Sequence, residues 1–162
     1  QGFPLVYVLK DPKQIGPVIQ NIVTDLFVTN MMCSQGYTSE AESITLHRLE
    51  SLIDFPKIIS NYGYLSVIAR IPVVKQEVTR FFKQYLEKMT AIEQRMKPHF
   101  PAEMWQLYVY INQILSETDL NSDDADIVLN LYKDIFLAID KKIKFSILNS
   151  CFIITDAGEL FS

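Results

Sequence analysis

The side chains that most often carry chemistry are scarce in this chain. Its 162 residues include two histidines and two cysteines. Cys33 and Cys151 are too far apart for a CxxC motif and too few for a disulfide framework, which favours a reducing, cytoplasmic setting. Long apolar runs are missing too. The longest, such as 5–9 and 107–111, have five residues. A membrane-spanning helix needs about 20, so we predict no membrane insertion.

Recognisable catalytic and metal-binding motifs are also missing. There is no P-loop, GxGxxG, GxSxG or HExxH pattern. His47 and His99 have no second His or Cys at metal-ligand spacing. Asp123, Asp124 and Asp126 lack the glycine and distal glutamate of a calcium loop, and we interpret them as the acidic first turn of a helix. The sequence therefore predicts no catalytic residue, no metal and no cofactor.

Positive charge is in short supply as well. The net charge is −4 and the pI is near 5.1, whereas surfaces that bind nucleic acid are basic. Residues 154–160 resemble the stretch that follows the wing of many winged-helix DNA-binding domains. No helix rich in Arg, Gln, Asn or Ser precedes them, and we interpret 151–155 as a strand and 156–159 as a turn. We therefore predict no nucleic-acid partner.

Apolar residues, in contrast, are abundant. They make up 49% of the chain, and the aromatics include ten Phe and eight Tyr. A chain of this length and composition folds as one globular domain with an ample core. We expect a single domain over residues 3–162, excised from or partnered with a larger assembly. Gln1 and Gly2 match the remnant of a cleavable tag.

Hydrophobic periodicity predicts five substantial helices. They cover about residues 17–33, 40–53, 73–97, 101–117 and a final stretch from Ser122 to the lysines at 141–144. A shorter helical piece begins at Asp54 and ends near Gly63. The Ser39–Glu42 sequence has the form of a capping box, and Ser122 is the expected N-cap of the last helix.

Short runs rich in β-branched and aromatic residues predict strands at 5–9, 64–71 and 151–155. Proline cannot continue a central strand or a helix, so Pro72 is expected to end the middle run. A small sheet that joins the first and last runs would bury both, because isolated strands are not stable alone. The predicted fold class is α+β and predominantly helical, with an all-α bundle as the alternative.

One group of aromatic residues is crowded together. Trp105, Tyr108 and Tyr110 lie within six residues of one predicted helix, so they cannot share a face. Tyrosine and tryptophan are enriched in protein interfaces. We therefore take all three as candidate partner-binding residues.

Two functions follow from this composition. The favoured one is a non-enzymatic protein–protein interaction module, an adaptor or an acidic chaperone-like subunit. Small secretion chaperones are similar to it in size and pI. Such a module would bind a partner helix or peptide, or a second copy of itself, through an aromatic-rich surface. The alternative is a helical ligand-sensing domain with an apolar pocket for a small apolar ligand, as in the effector half of a transcriptional regulator.

Overall fold

The computed structural model describes residues 12–142, and the regular secondary structure in this range is entirely helical. The α-helices in this range are α1 Ile15–Ser34, α2 Thr38–Ser51, α3 Phe55–Tyr62, α4 Tyr64–Arg80, α5 Leu86–Met96, α6 Ala102–Ser116 and α7 Ala125–Asp140. Short 3₁₀ turns occur at Pro12–Gln14, Leu52–Asp54, Lys83–Tyr85 and Lys97–His99. None of these helices has both the length and the apolar character needed to cross a membrane.

The predicted α+β fold class is wrong, and the all-α alternative fits. No strand occurs between residues 12 and 142, and the strand predicted at 64–71 is the first half of α4. This segment is mostly buried against neighbouring helices, so tertiary packing outweighs the β propensity of its branched residues. The strands predicted at 5–9 and 151–155, and the sheet joining them, lie outside the described residues.

Pro72 lies inside α4 instead of ending an element. Because proline has no N–H, the carbonyl of Ile68 loses its usual helical donor. Both Pro72 and Ile68 are buried, as is most of α4 on either side of the proline. Packing against several helices therefore maintains α4 across a residue that interrupts most helices.

The single helix predicted over residues 73–97 is wrong as well. It is the second half of α4 followed by α5, and the chain leaves the helical conformation at Phe82, whose φ and ψ are −131° and 60°. Phe82 is buried, Phe81 is half-buried, and their ring centroids are 6.2 Å apart. Adjacent helical residues point about 100° apart. The break lets both neighbouring rings be covered.

The capping box predicted at the start of α2 is replaced by other contacts. Tyr37 is the N-cap residue of α2, and no side-chain cap forms there, so the capping box predicted at Ser39 is wrong. Glu42 instead accepts hydrogen bonds from Gln84 Nε2 at 2.8 Å and from the Tyr85 hydroxyl at 3.0 Å. The carboxylate that was predicted to cap α2 therefore connects this helix to the turn before α5.

Of the three aspartates predicted in the first turn of α7, Asp126 lies there and Asp123 precedes the helix. Asp124 is the N-cap residue in place of Ser122, and its side chain accepts from the backbone N–H of Asp126 at 2.9 Å. Ser122 accepts from the N–H of Asp124 at 3.1 Å in the preceding turn. Asp124 thus satisfies one of the backbone donors that a helix start leaves unpaired.

Helix α4 is the centre of the fold. It packs against α1, α2, α3, α5 and α6, while α7 packs against α1 and α6. A continuous core of buried aliphatic, aromatic and methionine side chains runs from Ile15 in α1 to Ile139 in α7. Among the described residues, one concave surface lies between α6 and α7 and another among α1 to α4.

Candidate functional site

The three aromatic residues predicted as a partner-binding group do not share one face of α6. Trp105 is half-buried, and its ring centroid lies 5.6 Å from Phe100 and 4.8 Å from Tyr108. Tyr108 is 2% exposed, whereas Tyr110 is 52% exposed. The structure brings Trp105 and Tyr108 together against the core and places Tyr110 on the surface.

Tyr108 connects three helices within the core. Its hydroxyl donates to Glu93 Oε2 at 2.8 Å, and Glu93 Oε1 accepts from Lys75 Nζ at 2.6 Å. Burial, followed by the charge and hydrogen bond of Glu93, raises the pKa of Tyr108 far above its ordinary value. The phenol therefore remains a neutral donor, and this residue joins α6 to α5 and α4.

Tyr110 borders a depression that we call the α6–α7 trough, with a volume of about 500 Å³. Its lining residues are Gln106, Leu107, Tyr110, Asp134, Leu137, Ala138, Lys141 and Lys142. Leu137 is 53% exposed, and Val109 beside Tyr110 is 50% exposed. Large apolar side chains from two adjacent helices thus border one concave surface.

Leu137 was not among the predicted site residues, although the sequence contains a sign of it. It lies in the apolar run 135–139, whereas helical periodicity places Leu131, Ile135 and Ile139 on the buried stripe. An apolar residue that falls off the stripe of a surface helix points to solvent or to a partner.

The larger concavity, which we call the polar cleft, has a volume of about 700 Å³ and is bordered by α1, α2, α3 and α4. Most of its lining side chains are polar or charged. They are Gln14, Asn21, Asp25, His47, Arg48, Ser51, Asn61, Tyr62, Ser66 and Arg70, with Pro17, Val18, Ala69 and Val73 as the apolar part.

A buried carboxylate holds Arg48 at the edge of the polar cleft. Arg48 Nη1 donates to Glu77 Oε2 at 2.8 Å, and Arg48 Nη2 lies 3.7 Å from Asp25 Oδ2. The Thr29 hydroxyl donates to the same Glu77 oxygen. The Glu77 side chain is 0% exposed, whereas that of Arg48 is 28% exposed. The guanidinium therefore reaches from the interior to the cleft.

Burial dominates the acidity of both carboxyl groups. It raises the pKa of Glu77, although Arg48, Thr29 and Thr45 act in the opposite direction. It also raises the pKa of Asp25 against the charge of Arg48. Glu77 Oε1 and the Thr45 hydroxyl are buried without a hydrogen bond of normal geometry, although Thr45 is near enough to affect the carboxyl. The cluster is thus only partly satisfied.

Sequence reasoning did not single out Glu77, Arg48 or Asp25. A sign of Glu77 was present, because this residue lies between Val74 and Val78 on an apolar stripe. Charged residues are almost never fully buried unless they are paired. The residues that pair with Glu77 come from α1 and α2. Their contact with α4 cannot be deduced from spacing along the sequence.

The remaining candidates for chemistry are separated. His47 lies at the polar cleft, whereas His99 is exposed with its ring 5.4 Å from Phe55. Burial raises the pKa of the Cys33 thiol, which disfavours its nucleophilic thiolate form. Across residues 12–142 no group of three or more His, Cys, Asp or Glu side chains is arranged to hold a metal ion. Cys151 lies outside the described range.

Comparison with known proteins adds no guide to function. The chain matches no family model, no curated protein and no solved structure. Functional inference therefore depends on the α6–α7 trough and the polar cleft.

Proposed function

We propose that this chain is a non-enzymatic protein–protein interaction module, an adaptor or acidic chaperone-like subunit of the reducing cytoplasm. The α6–α7 trough is its binding surface. The observation that carries this proposal is the exposure of Tyr110 and Leu137, at 52% and 53%, on opposite sides of one concave surface. Leu107 and Ala138 are buried, and both contribute to its lining.

Two side-by-side helices form a groove that suits a third helix. An amphipathic helix binds such a groove through apolar residues spaced three and four positions apart. Tyrosine is among the residues that most often dominate the binding energy of an interface. Tyr110 and Leu137 are therefore the expected anchors.

Charge at the trough defines the orientation of the partner. Lys141 and Lys142 follow the end of α7, and Asp134 lies about two helical turns earlier. A partner helix with an acidic residue near one end and a basic residue near the other would complement both positions. The proposed occupant is thus an amphipathic helix or peptide with separated charges.

Site-specific photocrosslinking in cells tests this proposal. A photoreactive phenylalanine replaces Tyr110, and Tyr37, which is 55% exposed between α1 and α2, provides the matched control position. We expect position 110 to give a discrete protein adduct that position 37 does not give, and Leu137→Glu to remove it. An adduct with a second copy would identify a homo-oligomer. No adduct, or the same adducts at both positions, would contradict the proposal.

A ligand-sensing domain is the second candidate function, and one observation favours it. The polar cleft has a volume of about 700 Å³, which lies within the range of small-molecule sites. Ten of its fourteen lining residues carry a polar or charged group, which favours a ligand with polar groups over the purely apolar ligand expected from the sequence. The chemistry of that lining points to a different ligand class.

A further inference from the structure

We propose that the polar cleft binds a small organic anion, a carboxylate or phosphate attached to an apolar body, through Arg70 and Arg48. This inference goes beyond the proposed interaction with a protein, because the polar cleft and the α6–α7 trough share no lining residue. It depends on the ion pairs and exposure of the two arginines and on the other residues that line the cleft.

Arg70 offers an uncompensated positive charge. It projects from α4 into the lining of the polar cleft and is exposed. Among residues 12–142 it has no ion-pair partner, whereas Lys75, for example, lies 2.6 Å from Glu93. A planar guanidinium with free donors matches the geometry of carboxylate and phosphate groups.

Arg48 is also oriented to bind an anionic group. Its hydrogen bond to the buried Glu77 fixes one side of the guanidinium. An arginine has five N–H donors, and the contact of 3.7 Å with Asp25 is an ion pair beyond hydrogen-bond distance. The remaining donors are therefore available to a ligand at the partly exposed edge of this side chain.

The charges of the cleft favour an anion over a cation. Asp25 is the one carboxylate among the lining residues, and it is paired with Arg48. A cation would have to compete with Arg48 for Asp25. An anion would find Arg70 without an ion-pair partner from the described part of the chain. Glu77 lies beneath Arg48 and does not line the cleft.

The rest of the lining indicates the body of the ligand. Val18, Ala69 and Val73 form an apolar part, and the side-chain amides of Asn21 and Asn61 supply neutral hydrogen-bonding groups. Small-molecule sites combine such apolar surface with a few polar groups that fix orientation. A volume of about 700 Å³ accommodates a molecule with one or two rings.

Titration of the full chain with three probes, followed by ¹H–¹⁵N NMR, tests the proposal. The probes are 2-naphthoate, 2-naphthyl phosphate and the neutral 2-naphthalenemethanol. We expect the anions to shift the amide signals of cleft residues such as Asn21, Ser51 and Asn61, with affinities about tenfold above that of the alcohol. The tighter of the two anions identifies the preferred acidic group.

Substitution separates specific binding from bulk charge. Arg70→Gln is expected to weaken binding of the preferred anion about tenfold, and Arg70→Lys to weaken it less. Arg95→Gln, at an exposed arginine of α5 outside the cleft, provides the matched control and should leave the affinity unchanged.

Several results would overturn the inference. These are equal affinity for the alcohol and the anions, equal weakening by Arg70→Gln and Arg95→Gln, or shifts confined to residues of the α6–α7 trough. Failure here would leave the proposed protein interaction intact, because crosslinking at position 110 monitors a different surface.

Discussion

Glu77 occupies a position where the apolar core of α4 would ordinarily continue. Its neighbours Val74 and Val78 are 0% exposed, as is its own side chain. Removal of an ionised carboxylate from water costs several kcal/mol, and Arg48 and Thr29 offset part of this cost. One acidic residue thus links α4 to α1 and α2 and also positions the arginine of the polar cleft.

The raised pKa of Glu77 makes the stability of the protein depend on pH. The unfolded chain loses the proton near the ordinary pKa of 4.5, whereas the folded chain keeps it to higher pH. The contribution of Glu77 to stability is therefore greatest at low pH and declines as pH rises through the folded-state pKa. The free energy of unfolding is measured with urea. We expect its value for wild type, relative to that for Glu77→Gln, to be higher at about pH 5 than at about pH 7.

Glu87→Gln, at an exposed carboxyl in α5, is the control for this measurement. The part of the pH dependence that Glu77→Gln shows and Glu87→Gln does not share is assigned to Glu77. A difference for Glu77→Gln that shrinks as pH falls would mean that the folded-state pKa of Glu77 is lowered. In that case the charge of Arg48 would outweigh the effect of burial.

At the scale of elements, the junction between α1 and α2 has a defined hydrogen-bond pattern. The N–H of Tyr37 donates to the carbonyl of Met32 at 2.8 Å, and the N–H of Gly36 donates to the carbonyl of Cys33 at 3.4 Å. These are the two bonds of a Schellman motif, which requires a residue of positive φ after the helix. Gly36 supplies it with φ of 91°.

Gly36→Ala is expected to destabilise the protein by about 1 kcal/mol. A Cβ at this position would meet no atom within 4 Å, so the cost comes from the backbone conformation alone. Gly36→Asn should cost less, because asparagine tolerates positive φ better than alanine does. Denaturant unfolding measures both variants, with Ser34→Ala at the end of α1 as the control. A Gly36→Ala variant as stable as wild type would contradict the assigned turn.

Periodicity predicted most of the elements because most of them have a solvent side. The helices predicted at 17–33, 40–53 and 101–117 correspond to α1, α2 and α6, with ends shifted by one or two residues. The prediction for α4 was wrong because this helix is covered by five other helices. Its first half therefore has no clear polar stripe. Pro72 reinforced the error, since local rules cannot anticipate a proline held in a helix by its neighbours.

The same reasoning explains which parts of the candidate sites were predictable. Spacing alone excluded a single face shared by Trp105, Tyr108 and Tyr110, and Tyr110 is the one on the surface. Which of them would face outward depends on where α4, α5 and α7 lie. The polar cleft could not be predicted at all, because four helices form it and the first half of α4 was predicted as a strand.

At the scale of the whole molecule, the two candidate sites lie on separate sets of helices. The α6–α7 trough belongs to the C-terminal part of the described range, and the polar cleft belongs to α1 to α4. The two parts meet where α4 packs against α6 and where α1 packs against α7. A continuous apolar core fills the space between them.

This separation predicts that the two sites act independently. Effects of distant substitutions without shared partners are additive within a few tenths of a kcal/mol. Leu137→Glu should therefore change the affinity of the cleft for 2-naphthoate less than about twofold, and Arg70→Gln should leave the crosslinking yield at position 110 unchanged. A change above about fivefold in either direction would demonstrate a coupling free energy between the sites. Such coupling would have to pass through the contacts of α4 with α6 or of α1 with α7, and the domain would then be a sensor whose ligand controls its partner.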